Sequence, residues 1–321
     1  MTFEKPDVTE QLAMMLEAFA PIAGYLHDPK VVEVMLNPDG SVWVERLSAG
    51  MMRTDLSLEP AVAEGMLRYV AAQLKCELTY ERATLSGKIP LFNARVQAYL
   101  PPIVAAPALA LRRPASEVIP LSRYVERGIL QAAHAEFLAG AVRGRQNVLI
   151  AGSTGSGKTT FGNALLQVMA DTRDRVLVLE DTSELQCPAE NQVAILVRPP
   201  FYGWHEAIMD ALRMRPDRII VGELRGREAY HYVEACNTGH SGGIATIHAE
   251  DSSGALSRLC RLVAQELASE TARDVVVETI QVCVHLARDL RHPAGYAVTA
   301  IDRVQGYDAS ERRWLLSAVP A

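Results

Sequence analysis

The chain has 321 residues, enough for two domains that each bury a core of their own. Hydrophobic residues make up 49% and charged residues 22%, a globular balance, and a net charge of −6 excludes a broadly basic surface while leaving local patches open. Five cysteines (Cys76, Cys187, Cys236, Cys260, Cys283) lie far apart with no C-x-x-C pair, which suits reduced thiols better than a disulfide framework or a zinc site.

Met1 to Leu12 carries acidic residues and no apolar centre, so no secretory leader is expected. Val8 to Leu26 has apolar residues at 12, 15, 16, 19 and 22, the spacing of an amphipathic helix. Val31–Leu36 and Ser41–Glu45 read as strands, and Asn37-Pro-Asp-Gly40 between them predicts a hairpin. Pro60 to Leu74 has a helical apolar face, Asn93 to Tyr99 alternates like a strand, and Ala108 to Arg112 is a further short run. The longest apolar stretch, Leu100 to Leu111, is broken by three prolines and too short to span a bilayer. These elements predict an α+β domain over residues 1–113, and the proline-flanked segment 114–120 is the expected linker. The second domain, 121–321, begins with a helical stretch, Leu121 to Val142, broken near Gly128. Strands then alternate with helices: strands at 147–150, 176–179, 193–197, 218–221 and 244–247, and helices at 160–170, 204–214, 227–236, 254–267 and 272–280. Strand-like runs near 282–286, 296–304 and 313–319 close the chain. The alternation predicts an α/β domain with a mostly parallel sheet covered by helices.

That second domain holds the strongest chemical signal. Gly152-Ser153-Thr154-Gly155-Ser156-Gly157-Lys158-Thr159-Thr160 is a full match to the phosphate-loop pattern G-x-x-x-x-G-K-[ST], set between a strand and a helix. Glycines let successive backbone N–H groups point inward at a phosphate, and the helix N-terminus adds partial positive charge. Lys158 is the cation for the β- and γ-phosphates, and the Thr159 hydroxyl suits Mg²⁺. The alternative, a Gly/Ser-rich turn that merely ends a strand, requires a chance match on the order of one per cent in a chain this long.

Hydrolysis also needs acids. The run Arg218-Ile-Ile-Val-Gly-Glu223 is a buried strand that delivers Glu223 to its carboxyl end, where ligands of open α/β sheets collect. Gly222 stands where an aspartate commonly does, which casts Glu223 as the water-activating base rather than a direct metal ligand; a solvated strand-end glutamate is the alternative. Leu179-Glu180-Asp181-Thr-Ser-Glu184 follows another buried strand, so Glu180 and Asp181 are candidate Mg²⁺ ligands. Helix capping by Asp181 or Ser183 remains open. In Asn237-Thr-Gly-His240-Ser-Gly-Gly-Ile-Ala-Thr-Ile-His248-Ala249, His248 again ends a strand, where a neutral imidazole can hydrogen-bond a γ-phosphate.

The four boxes GSTGSGKTT, VLEDTSEL, LRMRPDRIIVGELRGREA and NTGHSGGIATIHAE, in this order, resemble the secretion ATPase superfamily of type II and type IV secretion and type IV pili. NTGH with TIHA, together with LRMRPDRIIVGE, is most similar to the type IV secretion branch, the TrbB-type conjugal-transfer ATPases in particular. Pilus and type II ATPases are the alternative, although the four-cysteine zinc insert of many assembly members is missing. The resemblance implies a RecA-like ATPase domain behind a smaller N-terminal domain, a homohexameric ring, and ATP with Mg²⁺ held between the domains. It implies Lys158 and Thr159 on phosphate and metal, Glu180 or Asp181 assisting the metal, Glu223 as base and His248 as sensor. Asn93-Ala-Arg95-Val, Pro101-Pro102 and Ala110-Leu-Arg112-Arg113-Pro114 resemble the family's phosphate-reaching arginines; solvated linker charges are the alternative. The expected location is cytoplasmic, peripheral to the inner membrane through secretion or conjugation partners. A RecA-like nucleic-acid motor is a second function class, and the acidic balance with no aromatic-plus-basic stripe disfavours it. A degenerate nucleotide switch is a third, opposed by the complete set of acids.

Overall fold

The computed structural model describes residues 16–46, 49–92, 94–113, 118–199, 201–289, 292 and 295–320. The chain separates into two compact units, Met1–Ser116 and Glu117–Ala321. Val8–Met15, Asn93 and residues 114–117 of the expected linker lie outside the described residues.

The smaller unit is an antiparallel sheet of β1 (Val31–Leu36), β2 (Ser41–Arg46), β3 (Gly50–Ser57), β4 (Thr84–Ile89), β5 (Ala94–Tyr99) and β6 (Ala108–Arg112). The order across it is β3-β2-β1-β6-β5-β4. The expected hairpin forms: Asp39 accepts from the backbone N–H and hydroxyl of Ser41 at 2.9 and 2.6 Å, an Asx-type turn that carries the chain into β2. A helix, Pro60–Gln73, buries Ala63, Met66, Leu67, Val70 and Ala71 in the core beneath the sheet. The spacing over 12–22 predicted one helix; instead the described chain turns at 19–22 and a short helix runs Ala23–His27. Pro21 is the physical reason, since its ring removes a donor from the helical ladder. β3 and β4, the two outer strands, carry no such signal: β3 is largely exposed and β4 contains Gly87, so neither shows a sustained apolar alternation.

The larger unit has β7 (Val148–Gly152), β8 (Val176–Glu180), β9 (Gln192–Leu196), β10 (Arg218–Val221), β11 (Ile244–Ile247), β12 (Val282–Arg288), β13 (Tyr296–Asp308) and β14 (Arg313–Ala318). The order is β14-β13-β12-β7-β11-β10-β8-β9, parallel from β9 to β12 and antiparallel from β12 to β14. Alternate residues of each central strand feed opposite cores. Leu149, Leu177, Ile219 and Ala245 pack under helices 204–213, 228–237, 252–263 and 269–279; Val148, Val178, Ile220 and Ile244 pack under helices 121–126, 132–143 and 158–167. Both faces are covered, which is why these strands read as unbroken apolar runs. The predicted break in the first helical stretch lies between Leu121–Glu126 and Ala132–Arg143.

Asn147 pins the amino ends of three strands together. Its Oδ1 accepts from the N–H groups of Gly242 and Gly243, both at 2.8 Å, just before β11, and its Nδ2 donates to Thr279 O at 2.7 Å, just before β12. All of these groups are buried, so Asn147→Ala should destabilise the chain by about 2–4 kcal/mol through unsatisfied polar groups. Urea denaturation measures it, and a loss under about 0.5 kcal/mol would show the pin to be dispensable.

Candidate active site

β7, β11 and β10 are neighbours, and each delivers one element of the site from its carboxyl end. β7 runs into the loop 152–157 and then helix Lys158–Gln167. A side chain on Gly152 would collide with Leu286 O and Ser156 Oγ, and Gly157, at φ +87°, turns the chain into the helix in a conformation only glycine holds without strain. Ser153, Thr154 and Gly155 are exposed at the tip, while Thr159 and Thr160 are half-buried in the first helical turn. Lys158 is folded over its own loop, 8% exposed: Nζ donates to Gly152 O at 3.0 Å and Ser153 O at 2.9 Å, and lies 3.3 Å from His248 Nδ1.

His248 follows β11, and Glu223 follows β10. An ammonium can only donate, so His248 Nδ1 accepts and the ring proton belongs on Nε2, which lies 2.9 Å from Glu223 Oε1. That approach is off the line of a hydrogen bond, leaving Glu223 Oε1 buried with no donor among the described residues. Burial would raise the Glu223 carboxyl, but the hydrogen bond and charge of Arg225, with His248 and Lys158 behind them, hold it below the ordinary carboxylate range. Burial and the Lys158 charge hold His248 below the usual imidazole value against the pull of Glu223, so the ring is neutral at pH 7.

The remaining predicted residues are placed differently. Glu180, buried at the end of β8, accepts from the N–H groups of Glu184 and Leu185 through Oε2 at 2.8 and 3.0 Å, shaping the loop that follows. Asp181 Oδ2 accepts from Arg225 Nη1 at 2.9 Å. His240 Nδ1 sits 2.9 Å from Pro216 O. Arg95, Arg112 and Arg113 belong to the smaller unit. Arg95 and Arg112 are exposed and directly opposite one another on β5 and β6, with Glu33 across from Arg112 on β1. Arg113 is tied down instead, donating through Nη1 to Asp28 O at 2.9 Å.

Arg225 is the residue that motif reading missed. It joins Asp181 to Glu223, donating to Glu223 Oε2 through Nη2 at 2.6 Å. One signal was present: in Glu223-Leu224-Arg225 the two charges are two residues apart, on one side of an extended segment, with buried Leu224 on the other.

The phosphate loop, the parallel sheet and the strand-end acid and histidine define a nucleotide-binding P-loop ATPase of the RecA-like kind. The profile of the family "Type II/IV secretion system protein" matches residues 18–311, and the chain belongs to that family. It is similar to the conjugal transfer protein TrbB of Rhizobium radiobacter, 40% identical over 88% of this chain and 86% of that protein. It is also similar to the type IV secretion system protein PtlH of Bordetella pertussis, 32% identical over 88% of this chain and 92% of that one. In fold it resembles the Legionella pneumophila ATPase DotB, with a TM-score of 0.64 and 18% identity over 96% of this chain and 84% of that chain.

The charge coupling can be measured directly. Lys158→Met removes a charge that disfavours the imidazolium, so the His248 ring should titrate at higher pH than in the wild type, followed by proton NMR. An unchanged or lower midpoint would show that the ammonium does not act on the ring.

Proposed function

We propose that this chain works as a homohexamer that hydrolyses ATP to drive assembly or substrate transfer in a type IV secretion system of the conjugal DNA-transfer kind. The observation that carries the reading is the meeting of Lys158, His248 and Glu223 at the ends of three adjacent strands, beside a complete phosphate loop. Likeness to a conjugal transfer protein over most of both chains supports the branch.

In this reading the loop and Lys158 receive the β- and γ-phosphates, releasing the ammonium from its own carbonyls. Glu223, ionised and with one oxygen lacking a donor, accepts a proton from the attacking water. His248, neutral and able to donate from Nε2, registers the γ-phosphate. The oxygen donors suit a hard cation: the half-buried Thr159 hydroxyl would hold Mg²⁺, with Asp181 and Glu180 assisting it. Bound Mg²⁺ supplies charge neutralisation at the β- and γ-phosphate oxygens. Membrane contact would come through inner-membrane and coupling components of the machine; among the described residues no helix is long and apolar enough to cross a bilayer.

Lys158→Ala should abolish turnover. Glu223→Gln should retain ATP binding and slow hydrolysis by roughly 10²–10⁴-fold. Single-turnover assays with a parallel binding measurement decide it: if Glu223→Gln loses ATP affinity while its hydrolytic rate is unchanged, Glu223 is a ground-state ligand and not the base.

The arginines of the smaller unit are assigned to the transferring phosphoryl group, and Arg112 is favoured over Arg113. Arg112 stands exposed beside Arg95, whereas Arg113 is committed to a backbone carbonyl. Arg112→Ala should slow turnover by about 10³-fold or more, as loss of an arginine finger does, and Arg113→Ala should do far less. Steady-state assays on size-checked oligomers test this, and equal effects of the two substitutions would count against the assignment.

A further inference from the structure

The ATPase reading leaves unexplained how Glu223 presents one particular oxygen to the phosphate side. A carboxylate on a flexible side chain turns easily about its last bond, a broad, roughly two-fold torsion. Here the backbone on either side is fixed: Gly222 O accepts from Thr246 Oγ1 at 2.7 Å, and Leu224 N donates to Thr246 O at 2.9 Å. The carboxylate itself is gripped by Arg225. One arm of the guanidinium, Nη2, takes Glu223 Oε2 at 2.6 Å, and the other, Nη1, takes Asp181 Oδ2 at 2.9 Å. The fork is planar and rigid, so holding Asp181 with one arm sets the angle of the other.

Arg225 is held in turn. The N–H groups of Arg225 and Gly226 both donate to Glu228 Oε1, at 2.6 and 2.7 Å, and Glu228 is buried in the first turn of helix Glu228–Asn237. A short loop that would otherwise be loose is thereby tied to a helix packed on the sheet.

We propose that Arg225 is a positioning residue for ATP hydrolysis: it clamps Glu223 Oε2 so that Oε1 faces the Lys158–His248 side, and Glu228 holds the clamp in place. The inference rests on the role of Glu223 as base.

The test is a double-mutant cycle in the full chain, read as kcat and KM for ATP on folded, size-checked protein. Arg225→Gln should lower kcat by about 10–100-fold, the scale of a misaimed catalytic group, with KM within about threefold. Arg225→Lys should recover only part, because a point-charge donor cannot hold two carboxylates at a set angle. Glu228→Ala should lower kcat in the same direction, and Glu228→Gln, which keeps an oxygen acceptor, should restore most of the loss. In a Glu223→Gln background, Arg225→Gln should add little, since the arginine acts through the group already removed. A kcat within twofold of wild type in Arg225→Gln overturns the proposal. So does a fall matched by an equal rise in KM, which would make Arg225 a nucleotide ligand, or a full additional loss in the Glu223→Gln background. Normal turnover in Glu223→Gln alone would instead remove the base role, and this inference with it.

Discussion

The larger unit is built around a nearly buried ammonium. Taking a lysine charge out of water costs several kcal/mol unless other groups replace the lost hydration. Lys158 meets that demand with the Gly152 and Ser153 carbonyls, which requires the loop to curl back over the helix that follows it. The curl requires Gly152 and Gly157, because a side chain on Gly152 meets Leu286 O and Gly157 needs a left-handed φ. The loop must also lie where β11 and β10 end. Asn147 secures the opposite ends of β7, β11 and β12, and the strand register then carries that alignment to the carboxyl edge.

From the ammonium outward, polar groups form one contiguous series: cationic Lys158, neutral His248, then Glu223, Arg225 and Asp181 as carboxylate, guanidinium and carboxylate. Arg225 opposes the effect of burial on Glu223, and burial with the Lys158 charge keeps the His248 ring neutral despite the carboxylate beside it. The arrangement yields an ionised acid and a neutral imidazole side by side near pH 7, a pair that suits the roles proposed for Glu223 and His248. A change at any one member therefore reaches the others, and single replacements in such a chain are not expected to add independently.

The smaller unit makes a different use of charge. Arg95 and Arg112 stand directly opposite on adjacent antiparallel strands, an arrangement that works against sheet stability. Glu33 lies on the other side of Arg112; burial holds its carboxyl above the usual range, and the Arg112 charge only partly opposes this. Two guanidinium groups side by side on an exposed sheet face form a local concentration of positive charge on a chain that is acidic as a whole.

Much of this was legible in the sequence because the physics is local. The phosphate loop needs its glycines, lysine and hydroxyl at fixed offsets, so letters suffice. The central strands, covered on both faces, appear as unbroken apolar runs, and Glu223, Asp181 and His248 are placed simply by standing where such runs stop. Strands β3 and β4 were silent because β3 is largely exposed and β4 carries Gly87, so no sustained apolar alternation marks them. The helix expected over residues 8–26 was interrupted by Pro21, a local signal outweighed by the apolar spacing. What only the tertiary structure decided lies across strands. That Arg225 reaches from Glu223 to Asp181, and that Arg113 is tied to Asp28 while Arg112 stays exposed, depend on partners from separate strands and loops. Side-chain identity states what a group can bond to; only the packed sheet determines which group lies within 3 Å of it.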